Sequence, residues 1–373
     1  MTAIAGTVRR GDAIAAAAVR MARATVANGL IVILGLLVSA ALLALTGADV
    51  AAATRALVEG SVGSPEAIRQ SLIQATPILI AGLGVSFALR AGLVNIGADG
   101  QLYMGALFAV IVAVYGPPLP WPIAPVAMLV AATVGGFLWG ALPGWMRARL
   151  GMSEVITTLL LNFVAFWIVS WAVHDPLHDP MGGGYPWTPE VPAPARLPVI
   201  RVAGFFLPSG LLLGLVLAMA ISFVLHRTHF GFGLRVIGDS PQAARWAGID
   251  VSRLTIAALA ISGALAGIAG AAELAGNQYR LSDFFSPGFG FTALVVALVG
   301  RATPSGTVAA ALFFGALAAG GGSMERIAQV PASTGLVVQG TVIAILVASR
   351  SAAARSFSYR LRRRLVRPDV GAA

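Results

Sequence analysis

Two clusters of polar side chains lie inside or beside apolar runs, where they are suited to binding a polar solute. In the first cluster, Asn95, Asp99 and Gln101 are interspersed with glycines. Amide and carboxylate groups hydrogen-bond the hydroxyl or amide groups of a solute, which hydrocarbon side chains cannot do. The glycines favour a broken helix or a turn, which is tolerated at membrane depth only where it faces protein or water. The cluster therefore indicates either polar recognition along a passage or a simple turn between two helices.

The second cluster begins at Glu154 and continues through Thr158 to Asn162. Residues four apart lie on one face of a helix, so these side chains form a polar stripe. Glu154 in a first helical turn also complements the helix dipole, which explains that residue without a ligand. Asn162 lies deeper in the apolar run, where it either hydrogen-bonds a neighbouring helix or faces a passage. The residues predicted to line a polar pathway are Asn95, Asp99, Gln101 and Asn162.

A third segment, residues 227–253, is polar and basic and separates two strongly apolar runs. Ser240 suits the N-cap of a helix, Pro241 suits the first turn, and Gly248 suits a left-handed end. The pattern predicts one short helix, Pro241 to Ala247, outside the bilayer. Such a helix is suited to docking another protein, and an ordinary basic loop is the plainer interpretation.

Composition decides the class of protein that must position these residues. Of 373 residues, 58% are hydrophobic and 11% are charged, and the mean hydropathy is +0.86. One soluble core cannot bury that much apolar surface, so the chain is an integral membrane protein. The net charge of +10 lies between apolar segments and in the tails, which indicates membrane orientation and excludes nucleic acid binding. With no cysteine and four histidines outside any H-E-x-x-H motif, no metal or cofactor is expected.

Apolar runs predict an all-α polytopic membrane protein with about ten transmembrane helices, some short or broken. The eighth and ninth runs are shorter than the roughly 20 residues of a straight crossing, which favours half-helices or a tilted pair. The predicted spans are Asn28–Thr46, Ser71–Leu89, Ile96–Tyr115, Trp121–Leu142, Glu154–Val173, Leu207–His226, Leu254–Leu274, Phe289–Gly300, Gly306–Gly320 and Gly335–Ser349.

An even number of spans places both termini on one side of the membrane. Of the 25 basic residues, all arginine, 19 lie on that side and 6 on the other, which predicts cytoplasmic termini. The predicted divisions are a cytoplasmic segment at 1–27, a membrane domain at 28–349 and a basic cytoplasmic tail at 350–373. Within the membrane domain, 227–253 is predicted to be cytoplasmic. Residues 174–206, with seven prolines, are predicted to form a stiff external loop.

Four motifs resemble the permease subunits of ATP-binding cassette (ABC) importers of the nucleoside, ribose and branched-chain amino acid type. They are R-A-G-L-V-N-I-G-A-D-G-Q at 90–101, G-M-S-E-V-I-T-T-L-L-L-N at 151–162, G-x-x-L-R-x-x-G-D-x-P-x-A-A-R-x-A-G-I within 227–253, and G-F-T-A-L-V-V-A-L-V-G-R-A-T-P-S-G at 290–306. The first two are the more specific and are most similar to the nucleoside group. The resemblance extends from about Gln70 to Ser349.

The resemblance implies a subunit of the inner or plasma membrane with three protein partners. These are a second, related permease, an ATP-binding subunit and an extracytoplasmic substrate-binding lipoprotein. The short helix of 227–253 would be the coupling helix that contacts the ATP-binding subunit. Its implied coupling residues are Gly238, Asp239, Pro241, Ala243, Ala244, Arg245 and Gly248. The chain has no G-x-x-x-x-G-K-[ST] motif, so ATP hydrolysis is assigned to the partner.

The predicted solute is a nucleoside or a related small polar molecule, and a sugar or a branched-chain amino acid is the nearest alternative. A membrane enzyme is a more distant alternative, since it would be expected to show paired carboxylates or a His/Asp pair in facing spans. Four aromatic residues suit either transient stacking on a base or anchoring at the membrane interface. They are Tyr103, Tyr279, Phe284 and Phe285.

Overall fold

A computed structural model describes residues 49–202 and 205–330, together with pieces of helix within 33–44 and 337–345. The described part is dominated by helices, with one two-stranded antiparallel hairpin. In chain order the elements are α1 (Val50–Val62), α2 (Pro65–Arg90), α3 (Ala98–Val110), α4 (Ile123–Leu150), α5 (Glu154–His174), β1 (Val199–Val202), β2 (Phe205–Pro208), α6 (Ser209–Arg227), α7 (His229–Asp239), α8 (Pro241–Trp246), α9 (Val251–Glu273), α10 (Phe289–Val299) and α11 (Pro304–Ala328). Two π-helical turns, Ile111–Tyr115 and Leu274–Gln278, extend α3 and α9.

The prediction of an all-α, multi-pass membrane protein is confirmed. Within the described residues, seven helices are long and apolar enough to cross a bilayer. They are α2, α3, α4, α5, α6, α9 and α11, where α3 and α9 include their π-helical turns. The eighth predicted span is the short helix α10, whose 11 residues extend only about 16 Å against a hydrocarbon core of roughly 30 Å. The first and tenth predicted spans lie only partly within the described residues.

The ninth predicted span is longer than expected. It was predicted to end at Gly320, yet α11 continues through three consecutive glycines to Ala328. Packing against α1, a helix that the sequence did not predict, accounts for the difference. An added Cβ at Gly320 would overlap the hydroxyl of Ser61 and the carbonyl oxygen of Leu57 in α1, so close packing against α1 offsets the low helix propensity of the glycines.

The core is organised around α9, which packs along α4, α3 and α2. Gly263 of α9 lies directly against the backbone of α4, where an added Cβ would overlap the carbonyl oxygen of Gly136. Gly267, one turn later, meets the carbonyl of Ala132 in the same way. Small residues at these two positions therefore allow the backbones of α9 and α4 to approach closely.

The proline-rich segment after α5 is more ordered than the predicted extended loop. It contains the β1–β2 hairpin, in which Ile200 pairs with Leu207. Proline content alone did not indicate that residues in this segment form a backbone ladder. The segment also bonds to the chain after α9: Arg280 contacts Asp179 at 2.7 Å. The hydrogen bond from Arg280 lowers the pKa of the Asp179 carboxyl from its ordinary value. The result is a folded cap at one end of the helices.

The chain forms two compact units. The larger one, residues 57–323, contains α2 to α10 and the first part of α11. The smaller one includes the helical pieces near the two ends of the chain. In it, the hydroxyl of Ser39 donates to the carbonyl oxygen of Val338 at 3.5 Å, and Gly35 packs against Val342. These contacts bring together parts of the first and tenth predicted spans.

Candidate functional site

The break between α2 and α3 is held by an amide network around Asn95. The Asn95 side chain is fully buried, and its Nδ2 donates to Gln101 Oε1 and to Ser262 Oγ, both at 2.8 Å. Its Oδ1 accepts the backbone N–H of Gly97 at 3.0 Å and Gln101 Nε2 at 3.3 Å. The Asn95 side chain thus bonds other groups of the predicted turn and also joins that turn to α9 through Ser262.

The polar stripe of α5 holds the other side of the same break. Asn162 Oδ1 accepts the backbone N–H of Gly100 at 2.8 Å, and its Nδ2 donates to the carbonyl oxygen of Ile96 at 2.9 Å. Thr158 Oγ1 accepts the backbone N–H of Ile96 at 3.3 Å. Gly100 lies in the first turn of α3, where backbone N–H groups have no partner inside the helix, and Ile96 lies in the break just before it, so these side chains satisfy the backbone on both sides of the helix start. Glu154, at the head of the stripe, instead pairs with Arg147 at 3.2 Å.

Asp99 connects α3 to the short helix α10. Its Oδ1 accepts Ser286 Oγ at 2.7 Å and the backbone N–H of Gly290 at 2.8 Å, and the residue is 9% exposed. Gly290 lies in the first turn of α10, where the helix dipole favours a negative charge. No arginine pairs with Asp99 within the described residues. The carboxylate is therefore stabilised by two donors and a helix end.

The four predicted pathway residues are therefore neighbours in space. Each is buried and hydrogen-bonded within the chain. The network joins α3, α5, α9 and the start of α10 around non-helical backbone. That these residues line a pathway remains a prediction, and their first role in this chain is to hold the broken segment.

The Asp99 contacts predict different results for two substitutions. Asp99→Leu should lower the free energy of unfolding by about 1–3 kcal/mol, since it leaves the Gly290 N–H and the Ser286 hydroxyl without an acceptor. Asp99→Asn keeps an acceptor oxygen in place and should remain close to the wild type. Thermal unfolding of the purified subunit in detergent measures both. An equal loss in the two variants would show that the negative charge matters more than the acceptor.

Sequence inspection missed Glu273, a carboxylate buried near the end of α9. One of its oxygens accepts Asn277 Nδ2 at 2.7 Å and Gln278 Nε2 at 2.9 Å. Gln278 also donates to the carbonyl oxygen of Phe285 at 2.7 Å, which links the end of α9 to the segment before α10. The signal that could have found this site was an acidic residue inside a predicted span, because such residues are costly there and are usually partnered.

The four aromatic residues predicted to stack or to anchor lie in different environments. Tyr103 and Phe285 are buried and meet edge-on, with ring centroids 6.2 Å apart. Arg196 lies over the ring of Tyr279 at 4.6 Å. Phe284 is 84% exposed. Of the four, Phe284 therefore offers the most free ring surface to a partner, a lipid or a solute.

The short helix predicted in 227–253 is confirmed as α8. Ser240 Oγ accepts the backbone N–H of Ala243 at 3.2 Å, and Pro241 occupies the first turn. Gly248 adopts the predicted left-handed conformation with φ of 74°. The prediction of only one helix was wrong, because α7 precedes it. Thr228 caps α7 by accepting the backbone N–H of Gly231 at 3.0 Å.

The seven predicted coupling residues do not share one face. Ala244 is fully buried in a cluster with Leu234, Ile237 and Leu259. Gly238 packs against the carbonyl oxygen of Arg90. The remaining five are exposed: Asp239, Pro241, Ala243, Arg245 and Gly248.

The exposed side of α8 also carries a residue that the sequence did not single out. Trp246 is 85% exposed. An exposed tryptophan on a short, capped helix is typical of a protein-binding surface. Within the described ranges, no group of three or more histidine, aspartate or glutamate side chains could hold a metal ion.

Several known proteins are similar to this chain over most of its length. A glucose ABC transporter permease protein of Haloferax volcanii is 36% identical over 76% of this chain and 76% of its own length. A guanosine ABC transporter permease protein of Bacillus subtilis is 33% identical over 85% of this chain and 90% of its own length. A nucleoside ABC transporter permease protein of Lactococcus lactis is 31% identical over 71% and 75%. No solved structure gives a significant match.

The family match covers most of the chain. Residues 67–347, from the start of α2 to beyond α11, match the family described as "Branched-chain amino acid transport system / permease component". This range includes the polar break, α7, α8 and the packed helices of the core. The protein is therefore a member of this family of membrane transport subunits, which are permeases and not enzymes.

Proposed function

We propose that this chain is the membrane-spanning permease subunit of an ABC importer that carries a nucleoside or a related small polar solute. The observation that carries the proposal is α8, a capped helix between two spans whose exposed side presents Arg245 and Trp246. That arrangement suits a partner that drives transport from one side of the membrane. The guanosine and nucleoside permeases among the relatives support the solute class. The partners proposed are a second related permease, an ATP-binding subunit and an extracytoplasmic binding lipoprotein.

A sugar is the second candidate solute. The glucose permease of Haloferax volcanii is 36% identical, which favours it. Uptake by proteoliposomes that contain the complete complex distinguishes the two. ATP-driven accumulation of adenosine, guanosine, uridine or inosine, but not of glucose, ribose or leucine, is expected. Accumulation of glucose alone would replace the nucleoside proposal and leave the importer proposal in place.

The polar break is proposed to lie beside the translocation pathway. Non-helical backbone at membrane depth requires protein or water around it, and here Asn95, Gln101 and Asn162 satisfy it from within the chain. Rocking of two permeases against each other would bring this segment to the pathway wall. Cysteines introduced at 95, 99 and 101 should react with water-soluble thiol reagents in at least one nucleotide state. Protection in every nucleotide state would assign these residues to packing alone.

The cytoplasmic side is proposed to be the one that carries α8. A cleft of about 380 Å³ is bounded by residues 91–93, the end of α4, α8 and the start of α9. These segments therefore share one side, and Arg147 and Arg245 both line the cleft. The excess of arginine on that side supports a cytoplasmic location for α8 and for both termini.

This orientation predicts the labelling of two introduced cysteines in a chain that has none of its own. Gln242→Cys on exposed α8 should crosslink to the ATP-binding subunit and resist an impermeant thiol reagent added to intact cells. Met181→Cys is the matched control, because Met181 is 95% exposed in the cap and should label from outside. Mass spectrometry of the labelled protein measures both. Labelling of Gln242→Cys from outside would reverse the proposed orientation.

A further inference from the structure

Arg90, the last residue of α2, contacts two segments that are distant in sequence. Its carbonyl oxygen packs against Gly238, at the end of α7, where an added Cβ would overlap it. Its Nε donates to the carbonyl oxygen of Ala302 at 2.8 Å, in the turn between α10 and α11. Arg90 therefore joins the helix pair that carries the exposed surface of α8 to the C-terminal end of α10.

The turn that Arg90 holds has an unusual backbone. Arg301 and Ala302 have φ values of 57° and 49°. Two successive non-glycine residues in the left-handed region cost free energy and persist only where surrounding groups hold them. The backbone N–H of Ala302 bonds to the carbonyl of Ala297 at 2.8 Å, and Arg90 bonds the carbonyl oxygen of Ala302. The guanidinium is therefore one of the restraints on the conformation of this turn.

The other end of α10 is tied to the polar break. Asp99 accepts the backbone N–H of Gly290 at 2.8 Å, and Ser286 bonds the same carboxylate oxygen. Arg90 and Asp99 flank the break between α2 and α3. Hydrogen bonds therefore join the start of α10 to Asp99 on one side of the break, and the turn after α10 to Arg90 on the other side. The short helix α10 is thus positioned to move with the break.

We infer that Arg90 is a positioning residue that transmits movement of α7 and α8 to α10 and to the wall of the pathway. No side chain separates Gly238 from the Arg90 carbonyl, so displacement of α7 reaches the end of α2 directly. Packed backbone and a hydrogen bond form the contiguous route that such coupling needs. The inference rests on the proposed function, in which the ATP-binding subunit pushes on α8.

The test compares Arg90→Ala with Arg301→Ala in the reconstituted complex of both permeases, the ATP-binding subunit and the binding protein. Arg301 lies in the same turn but is exposed, so it is the matched control. The readouts are ATP hydrolysis, solute uptake and their ratio. Arg90→Ala should lower uptake per ATP hydrolysed by roughly tenfold while hydrolysis persists. Arg301→Ala should keep the wild-type ratio.

Gly238→Ala is the second variant, because it pushes α7 away from Arg90 while leaving the Arg90 side chain in place. It should lower the same ratio even if Arg90→Ala fails to assemble. A wild-type ratio in Gly238→Ala or in an assembled Arg90→Ala complex would overturn the inference, as would an equal loss of hydrolysis and uptake. A wild-type complex that neither hydrolyses ATP in response to solute nor accumulates it would instead contradict the proposed function, and this inference with it.

Discussion

Replacing Gly263 with leucine is expected to remove most of the folded protein from the membrane. An added Cβ at this position overlaps the carbonyl oxygen of Gly136 and lies 2.9 Å from the Cα of Gly140. Both obstacles are backbone atoms, so no change of rotamer relieves the overlap and α4 must separate from α9. We expect a loss of about 4 kcal/mol or more in the free energy of unfolding, at the high end for overpacking. Size-exclusion chromatography of detergent extracts measures the folded fraction.

A pair of alanine variants controls for the loss of glycine itself. Gly276→Ala adds a methyl group whose nearest neighbour, the side chain of Leu197, lies 3.9 Å away. It should therefore behave like the wild type. Gly263→Ala should already reduce the folded fraction, because even a methyl group meets the α4 backbone. Similar folded fractions for the two alanine variants would show that α4 and α9 can separate at little cost.

Replacing Trp246 with alanine is expected to weaken binding of the ATP-binding subunit by roughly 30- to 1,000-fold, or about 2–4 kcal/mol. Trp246 is exposed at the end of α8, and it contributes the largest apolar surface on that helix. Its removal leaves the helix intact, because the capping bond from Ala243 to Ser240 and the buried Ala244 do not involve it. Titration of the purified permease pair with the ATP-binding subunit measures the change.

Trp121→Ala is the matched control for this measurement. Trp121 is 62% exposed and precedes α4, at the end opposite to Arg147 and Arg245. Its removal should leave binding of the ATP-binding subunit unchanged. Ala244→Arg, by contrast, is expected to destabilise the subunit, because Ala244 is fully buried. If Trp246→Ala binds the ATP-binding subunit with wild-type affinity, the coupling surface does not include the exposed end of α8.

The sequence alone was sufficient for the class of fold and for most of the spans. A bilayer demands roughly 20 apolar residues in a row, and this demand acts on each segment separately. The span predicted at Glu154–Val173, for example, differs from α5 by one residue. Capping is equally local: Ser240, Pro241 and Gly248 act within a turn or two of α8, so their pattern was sufficient to predict that helix.

Only the tertiary structure decided which residues of these elements meet. Asn95 bonds Ser262 across 167 residues of chain, and hydropathy carries no information about such a partner. The burial of Ala244 could not be predicted from the sequence either, because a six-residue helix is too short to show a periodic apolar pattern. Arg90 and Gly238 meet for the same reason, through packing of helices far apart in sequence. Local chemistry determined the helices, whereas close packing between them decided the network, the exposed face of α8 and the route that joins them.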